Sequence, residues 1–229
     1  MRRWRPLGCA GVPDVADAIT TADLTAWLRE FARAVHEQRD YLTELDSAIG
    51  DADHGSNMDR GLSAAVAAVD DATPTTAGAL LKKVGTTLVS TVGGASGPLY
   101  GTFFLRMAGA LGDGDSVDPQ QLAAALRAGV DGVAARGRAE VGDKTMLDAL
   151  VPAVEAVESA VGEGTVLRDA LRSAQEAAAR GRDATTPLQA RKGRASYLGD
   201  RSADHLDPGA TSAAILVQAL ADSQAERAR

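Results

Sequence analysis

Three aspartates, Asp46, Asp51 and Asp53, are the residues whose spacing most clearly suggests chemistry. Asp51 and Asp53 are two positions apart, so their side chains point the same way in an extended stretch. Gly50 permits the sharp turn that would bring Asp46 to them. Converging carboxylates repel one another unless a cation joins them, and oxygen ligands select hard cations such as Mg²⁺ or Ca²⁺. The spacing therefore predicts a metal site; the alternative is a solvated turn.

The residues that follow the aspartates are typical of an anion site. His54, Gly55, Ser56 and Asn57 stand at the predicted start of a helix. The free amide groups of a helix start bind phosphate. A histidine beside carboxylates is able to donate a hydrogen bond to a phosphate. This combination favours a phosphate-bearing ligand next to the metal.

A second loop, residues 92–101 (VGGASGPLYG), also runs into a predicted helix. Its glycines would leave backbone N–H groups free for a phosphate. It is neither a Walker loop nor a dinucleotide fingerprint, because no strand precedes it and the spacing differs. Taken alone, the pattern is more typical of a tight turn between closely packed helices.

Residues 190–207, which we call the polar segment, are too long and too polar for a simple turn. Four basic residues fall close together here in an otherwise acidic chain: Arg191, Lys192, Arg194 and Arg201. They are candidates to clamp a phosphate, and the alternative is a flexible solvated loop. A shorter motif at residues 142–146 (GDKTM) is explained nearly as well by a plain helix cap.

Helices must position these groups. The chain is rich in alanine and has only 3% aromatic residues, which excludes a β-sandwich or barrel and favours an all-α fold. Apolar periodicity predicts eight helices joined by short loops, the first running from residue 21 to about Leu45. Asp118-Pro119 and Asp207-Pro208 each predict a capped helix start. Short connections imply an antiparallel, up-and-down eight-helix bundle or barrel.

Charge and composition narrow the classes of partner. The chain has 229 residues and a formal net charge of −7, which argues against nucleic acid or an anionic membrane surface. A single cysteine excludes an intramolecular disulfide and a cysteine-cluster zinc site, which indicates the cytoplasm. No apolar run approaches the roughly 18 residues of a membrane span. We expect residues 1–20 to be a disordered extension or to precede the true start, and 21–229 to be a single domain.

Four stretches together resemble one known family, the nucleotide-binding L subunit of dihydroxyacetone kinase. They are LTELDSAIGDADHGSNMDRG (42–61), VGGASGPLYGTFF (92–104), GDKTMLDALVP (142–152) and QARKGRASYLGDRSADHLDPGATS (189–212). They occur in the family's order, and the resemblance spans roughly residues 22–222. It implies eight antiparallel helices in a barrel, with ADP or ATP and two Mg²⁺ ions at one end.

The resemblance also implies roles for particular residues. Asp46, Asp51 and Asp53 would hold the metal ions. The implied nucleotide contacts are His54, Gly55, Ser56, Asn57, Ala95, Ser96, Gly137, Met146, Arg194, Asp207, Pro208 and Gly209. No covalent catalytic residue is implied.

The implied activity is phosphoryl transfer to dihydroxyacetone held on a separate K subunit, giving dihydroxyacetone phosphate. The donor is either a phosphohistidine protein of the phosphotransferase system, with ADP as a bound cofactor, or exchanging ATP. The resemblance allows a homodimer. Two alternatives stay open: the nucleotide domain of a related kinase for another substrate, such as a fatty-acid kinase, and a non-enzymatic, nucleotide-loaded partner of a transcription regulator.

Overall fold

Helices make up nearly all the regular structure in the computed structural model, which describes residues 18–114 and 116–227. The α-helices of these residues are α1 (Thr21–Glu37), α2 (Arg39–Ile49), α3 (His54–Ala72), α4 (Ala77–Thr91), α5 (Ser96–Leu111), α6 (Pro119–Gly137), α7 (Leu147–Gly162), α8 (Leu167–Ala184) and α9 (Pro208–Arg227). A 3-10 helix, Arg194–Ser202, lies in the polar segment, and two short strands are β1 (Ile19–Thr20) and β2 (Ser116–Val117). The predicted all-α class is confirmed.

Local sequence sets several helix starts. Thr20 begins α1 with a capping box, in which its hydroxyl accepts from the Asp23 N–H and the Asp23 carboxylate accepts from the Thr20 N–H. Asp118 and Gln121 form the same reciprocal pair at α6, with Pro119 in the first turn. These caps satisfy amides that have no partner inside the helix.

The predicted first helix is in fact two helices. The chain leaves helical geometry at Gln38, with φ −102° and ψ 11°, and α2 begins at the next residue. The Gln38 N–H remains bonded to Ala34 and His36 carbonyls, so the break is tight. Periodicity did not reveal it because neither glycine nor proline marks the position.

The predicted boundary of the N-terminal extension needs correction. Ile19 is fully buried and pairs with Val117 in an antiparallel β1–β2 ladder, while Thr20 caps α1. These two residues belong to the folded part because they bury an apolar side chain and complete a helix start. The prediction for residues 1–17 lies outside the described residues.

The helices pack around one hydrophobic core. Neighbours in sequence contact each other along the pairs α3–α4, α4–α5, α5–α6 and α7–α8, and α9 packs against α1 and α8. Trp27 of α1 meets Phe104 of α5 at 5.7 Å between ring centroids, and Phe103 meets Phe104 edge-on. Within the described ranges, no helix is both long and apolar enough to cross a membrane.

Candidate functional site

The three aspartates converge as their spacing predicts. One carboxylate oxygen from each of Asp46, Asp51 and Asp53 lies within 4.8 Å of the other two. Asp46 is buried near the end of α2, whereas Asp51 is exposed and Asp53 half-buried in the turn to α3. An oxygen-only donor set of this size fits a hard divalent cation. We call these three residues the carboxylate cluster.

Asp46 shapes the turn that carries the other two. Its Oδ2 accepts from the backbone N–H groups of Asp53 at 2.9 Å and His54 at 3.1 Å. Gly50 is required here, because a Cβ at that position would overlap Oδ1 of Asp46. Ala52 adopts a left-handed φ of 60°, which is strained for a residue with a side chain. The turn is thus tightly determined around one buried carboxylate.

His54 is held at both ring nitrogens. Its Nε2 lies 2.9 Å from Oγ of Ser212, and its Nδ1 lies 3.1 Å from Oγ of Ser96. Tyr100 OH lies 2.7 Å from the same Ser212 Oγ. The imidazole is therefore fixed between the starts of α5 and α9 by a chain of hydroxyl groups.

Burial decides the charge of the imidazole. Desolvation lowers the pKa of His54, although the nearby carboxylates of Asp46 and Asp53 act in the opposite direction. The net direction favours a neutral ring, in which one nitrogen donates to one hydroxyl and the other nitrogen accepts from the second.

The glycine-rich loop brings the start of α5 to the start of α3. Gly94 takes a left-handed φ of 65°, and Gly93 lies directly against the Asn57 side chain. Asn57 is buried, and its Oδ1 accepts from Arg60 at 2.7 Å. Two helix starts that meet beside the carboxylate cluster present free amides to an anion there.

Arg194 brings a positive charge to the cluster. Its Nη2 lies 3.1 Å from Oδ2 of Asp51. The pair joins the 3-10 helix of the polar segment to the turn before α3. Both side chains keep contact with solvent, with exposed fractions of 69% and 35%, so the pair can exchange partners at little cost.

The starts of α7 and α9 meet beside one another and form a further side of the candidate site. Asp207 caps α9 by accepting from the Ala210 N–H at 2.7 Å, and Gly209 lies against Met146 at the start of α7. Burial raises the pKa of Asp207 to about 7, because desolvation outweighs the hydrogen bond from Ala210 and the charge of Lys144. Gly137 ends α6 beside Leu99 in the first turn of α5.

The structure places the predicted residues at or beside helix ends, while their metal and nucleotide roles stay predictions. Ser56 is exposed, and its hydroxyl donates only to the local Asp53 carbonyl. Sequence reasoning missed Ser212, whose hydroxyl contacts His54, and Tyr100, whose hydroxyl contacts Ser212. Helical spacing could have indicated them, because Tyr100 follows Ser96 by one turn and Ser212 follows Gly209 by one turn, which places each on the same face as a predicted site residue.

A helical bundle that joins a carboxylate cluster to converging helix starts and an arginine has the chemistry expected of a protein that binds a cation and a phosphate. Comparison with known proteins specifies it further. The model of the DAK2 domain family matches residues 48–222. The chain therefore belongs to the DAK2-domain family.

Similar proteins agree with this membership. The chain is 45% identical over 204 residues to the "PEP-dependent dihydroxyacetone kinase, ADP-binding subunit DhaL" of Escherichia coli (strain K12), covering 89% of this chain and 97% of that protein. It is 40% identical over 201 residues to the "PTS-dependent dihydroxyacetone kinase, ADP-binding subunit DhaL" of Lactococcus lactis, covering 87% and 96% respectively.

The fold resembles the crystal structure of the dihydroxyacetone kinase of C. freundii in its native form, with a TM-score of 0.69 and 23% identity. A complex of that kinase with AMP-PNP and Mg²⁺ gives a TM-score of 0.68 and 24% identity. The match covers 97% of this chain but only 38% of each C. freundii chain. At this level of identity the likeness establishes the fold alone.

Proposed function

We propose that this chain is the nucleotide-binding subunit of a dihydroxyacetone kinase. It passes a phosphoryl group to dihydroxyacetone held on a separate K subunit, and the product is dihydroxyacetone phosphate. The observation that carries this proposal is the convergence of Asp46, Asp51 and Asp53 beside the starts of α3 and α5. The names of the E. coli and L. lactis relatives support the substrate and the role as a subunit.

The carboxylate cluster would hold two Mg²⁺ ions. Bound Mg²⁺ neutralises phosphate charge and orients the transferred group. Three carboxylates and an ADP carry about six negative charges together, so one ion leaves a large excess while two ions and Arg194 nearly balance it. The complex of the C. freundii kinase with AMP-PNP and Mg²⁺ supports the combination of ligands.

The remaining residues bind and orient the nucleotide in this proposal. The backbone amides of Gly55, Ser56, Ala95 and Ser96 face the phosphates, and Arg194 turns from Asp51 to a phosphate oxygen. The N–H groups of His54 and Asn57 instead donate to Asp46 Oδ2 and to the Asp53 carbonyl, so they shape the start of α3. Met146, Gly137 and Asp207–Gly209 line the rest of the pocket. Phosphoryl transfer needs positioning and charge neutralisation rather than a nucleophilic side chain, which agrees with the residues present.

The proposed donor is a phosphohistidine protein of the phosphotransferase system, with ADP bound permanently as a cofactor. The names of the E. coli and L. lactis relatives, which call them "PEP-dependent" and "PTS-dependent", support this donor over exchanging ATP. A separate K subunit and the phosphohistidine protein are then the partners that approach the open side of the carboxylate cluster.

A reconstituted transfer assay tests the proposal. The chain is mixed with a K subunit and dihydroxyacetone, and product is measured with ATP or, separately, with phosphoenolpyruvate and the phosphotransferase proteins. We expect product with the second donor and loss of it in Asp51→Ala. Asp70→Asn, which removes an exposed carboxylate paired with Arg29 on α1, is the matched control and should retain activity. Absence of product with both donors would refute a kinase role.

A further inference from the structure

The ammonium group of Lys144 donates all of its hydrogen bonds to backbone carbonyl groups. Only 1% of the residue is exposed, and its Nζ donates to the carbonyls of Thr186 at 3.3 Å, Leu188 at 3.0 Å and His205 at 2.5 Å. An ammonium group has three protons to donate. Lys144 therefore has no donor left for a phosphate, although a lysine in a glycine-containing turn near a nucleotide site would suggest that role.

The three carbonyls lie on either side of the polar segment's main part, two before its start and one near its end. Thr186 and Leu188 come just before it, and His205 is close to its end. One side chain thus fixes both ends of the segment to the turn before α7. The Arg191 N–H, which donates to the Asp143 carbonyl at 3.0 Å, adds a second tie to the same turn.

The turn that carries Lys144 is itself held in a strained shape. Lys144 has a left-handed φ of 62°, which is unfavourable for a residue with a side chain. Asp148 maintains the turn, because its carboxylate accepts from the N–H groups of Gly142 at 2.6 Å and Thr145 at 2.7 Å. A buried cation in a strained turn is retained only where the surrounding contacts specify it.

We propose that Lys144 is a positioning residue that ties the polar segment to the start of α7. The tie holds Arg194 at the carboxylate cluster and Asp207–Gly209 against Met146, so that the walls of the nucleotide site keep their spacing. The role in nucleotide binding depends on the function proposed above, whereas the tie itself does not.

Hydrogen exchange on the complete, nucleotide-free chain tests the tie directly. Lys144→Met removes all three hydrogen bonds and nearly preserves side-chain length. We expect amides of the polar segment to exchange about tenfold faster or more, since hydrogen bonds to a charged group are lost. Trypsin should also cleave faster at Arg191, Lys192, Arg194 and Arg201. Lys82→Met, on the exposed face of α4, is the matched control and should change neither readout.

A second control separates a local tie from general destabilisation. Val157→Ala leaves a cavity in the buried part of α7, far along the helix from Lys144, and lowers overall stability. It should not accelerate exchange in the polar segment selectively. If Lys144→Met does not fold, Lys144→Arg keeps the charge but its planar donors do not match three converging carbonyls, so a smaller selective acceleration is expected.

Binding of a fluorescent ADP with Mg²⁺ completes the experiment. We expect about tenfold faster release from Lys144→Met than from the unaltered chain, with Val157→Ala close to the latter. Weaker binding with unchanged exchange in the nucleotide-free variant would overturn the tie and make Lys144 a phosphate ligand. If the unaltered chain does not bind ADP, the proposed function fails, while the exchange result still supports or overturns the tie.

Discussion

The guanidinium of Arg194 contacts Asp51, a member of the carboxylate cluster, at 3.1 Å. In this arrangement one cation of the chain occupies part of the space around a carboxylate that we assign to Mg²⁺. Arg194 is also assigned to the nucleotide phosphates. Arg194 should therefore weaken the binding of Mg²⁺ alone and strengthen the binding of the nucleotide.

Arg194→Gln should bind Mg²⁺ alone a few-fold more tightly, because a competing cation beside Asp51 is removed. The same variant should bind ADP with Mg²⁺ more weakly, because a charged partner of the phosphates is lost. Calorimetric titration with MgCl₂, with and without ADP, measures both effects. Arg172→Gln on α8 removes an equal charge elsewhere and should alter neither affinity. A change of the same sign for both ligands would contradict the assignment.

Ser212→Ala should destabilise the protein by about 1–3 kcal/mol, because it leaves His54 Nε2 and the Tyr100 hydroxyl buried without a partner. Tyr100→Phe should cost less, since Ser212 still contacts His54 and the Gly209 carbonyl. Urea unfolding measures both changes.

Ser90→Ala, at an exposed position of α4, is the control for loss of a serine hydroxyl and should lie within about 0.5 kcal/mol of the unaltered chain. Equal losses of stability in Ser212→Ala and Tyr100→Phe would contradict this central role of Ser212 between His54 and Tyr100.

The sequence predicted features that depend on nearby residues. The carboxylate cluster forms within one short stretch, so its spacing alone indicated a site. The caps at Asp118 and Asp207 were likewise recognisable, because each acceptor lies only three residues from the amide it binds. Such local interactions are encoded in adjacent positions.

Features that depend on distant residues were not predictable in this way. Ile19 is buried only because it pairs with Val117, and Lys144 finds carbonyls that are 42 to 61 positions away. Hydrophobic periodicity describes one helix at a time and contains no information on such pairings. The break at Gln38 escaped prediction for another reason, because its residue type does not disrupt a helix.

Asp207→Asn should change how stability depends on pH. Burial raises the pKa of Asp207 to about 7 from an ordinary value of 3.8. The folded state then binds more protons than the unfolded state between these values, so the stabilising contribution of the protonated carboxyl is lost as pH rises from about 4 to 7. Asparagine retains an oxygen for the Ala210 N–H but does not titrate.

The free energy of unfolding of the unaltered chain, relative to Asp207→Asn, should therefore fall by at most about 1.4 kcal/mol per pH unit across this window. Urea unfolding at several pH values measures the difference, and groups that titrate equally in both proteins cancel. A profile for Asp207→Asn parallel to that of the unaltered chain would show that Asp207 titrates at its ordinary pKa.

Gly181→Ala tests the close packing of α8 on α7. A Cβ at Gly181 would overlap the Asp148 carbonyl oxygen and press on Pro152, so the helices must separate. We expect a loss of about 1–3 kcal/mol in unfolding free energy, as for other overpacked sites. Gly162→Ala meets nothing within 4 Å and should be neutral or stabilising. Because Asp148 also holds the turn of Lys144, Gly181→Ala should accelerate hydrogen exchange in the polar segment. Destabilisation without faster exchange there would show that the contact between α7 and α8 does not influence the polar segment.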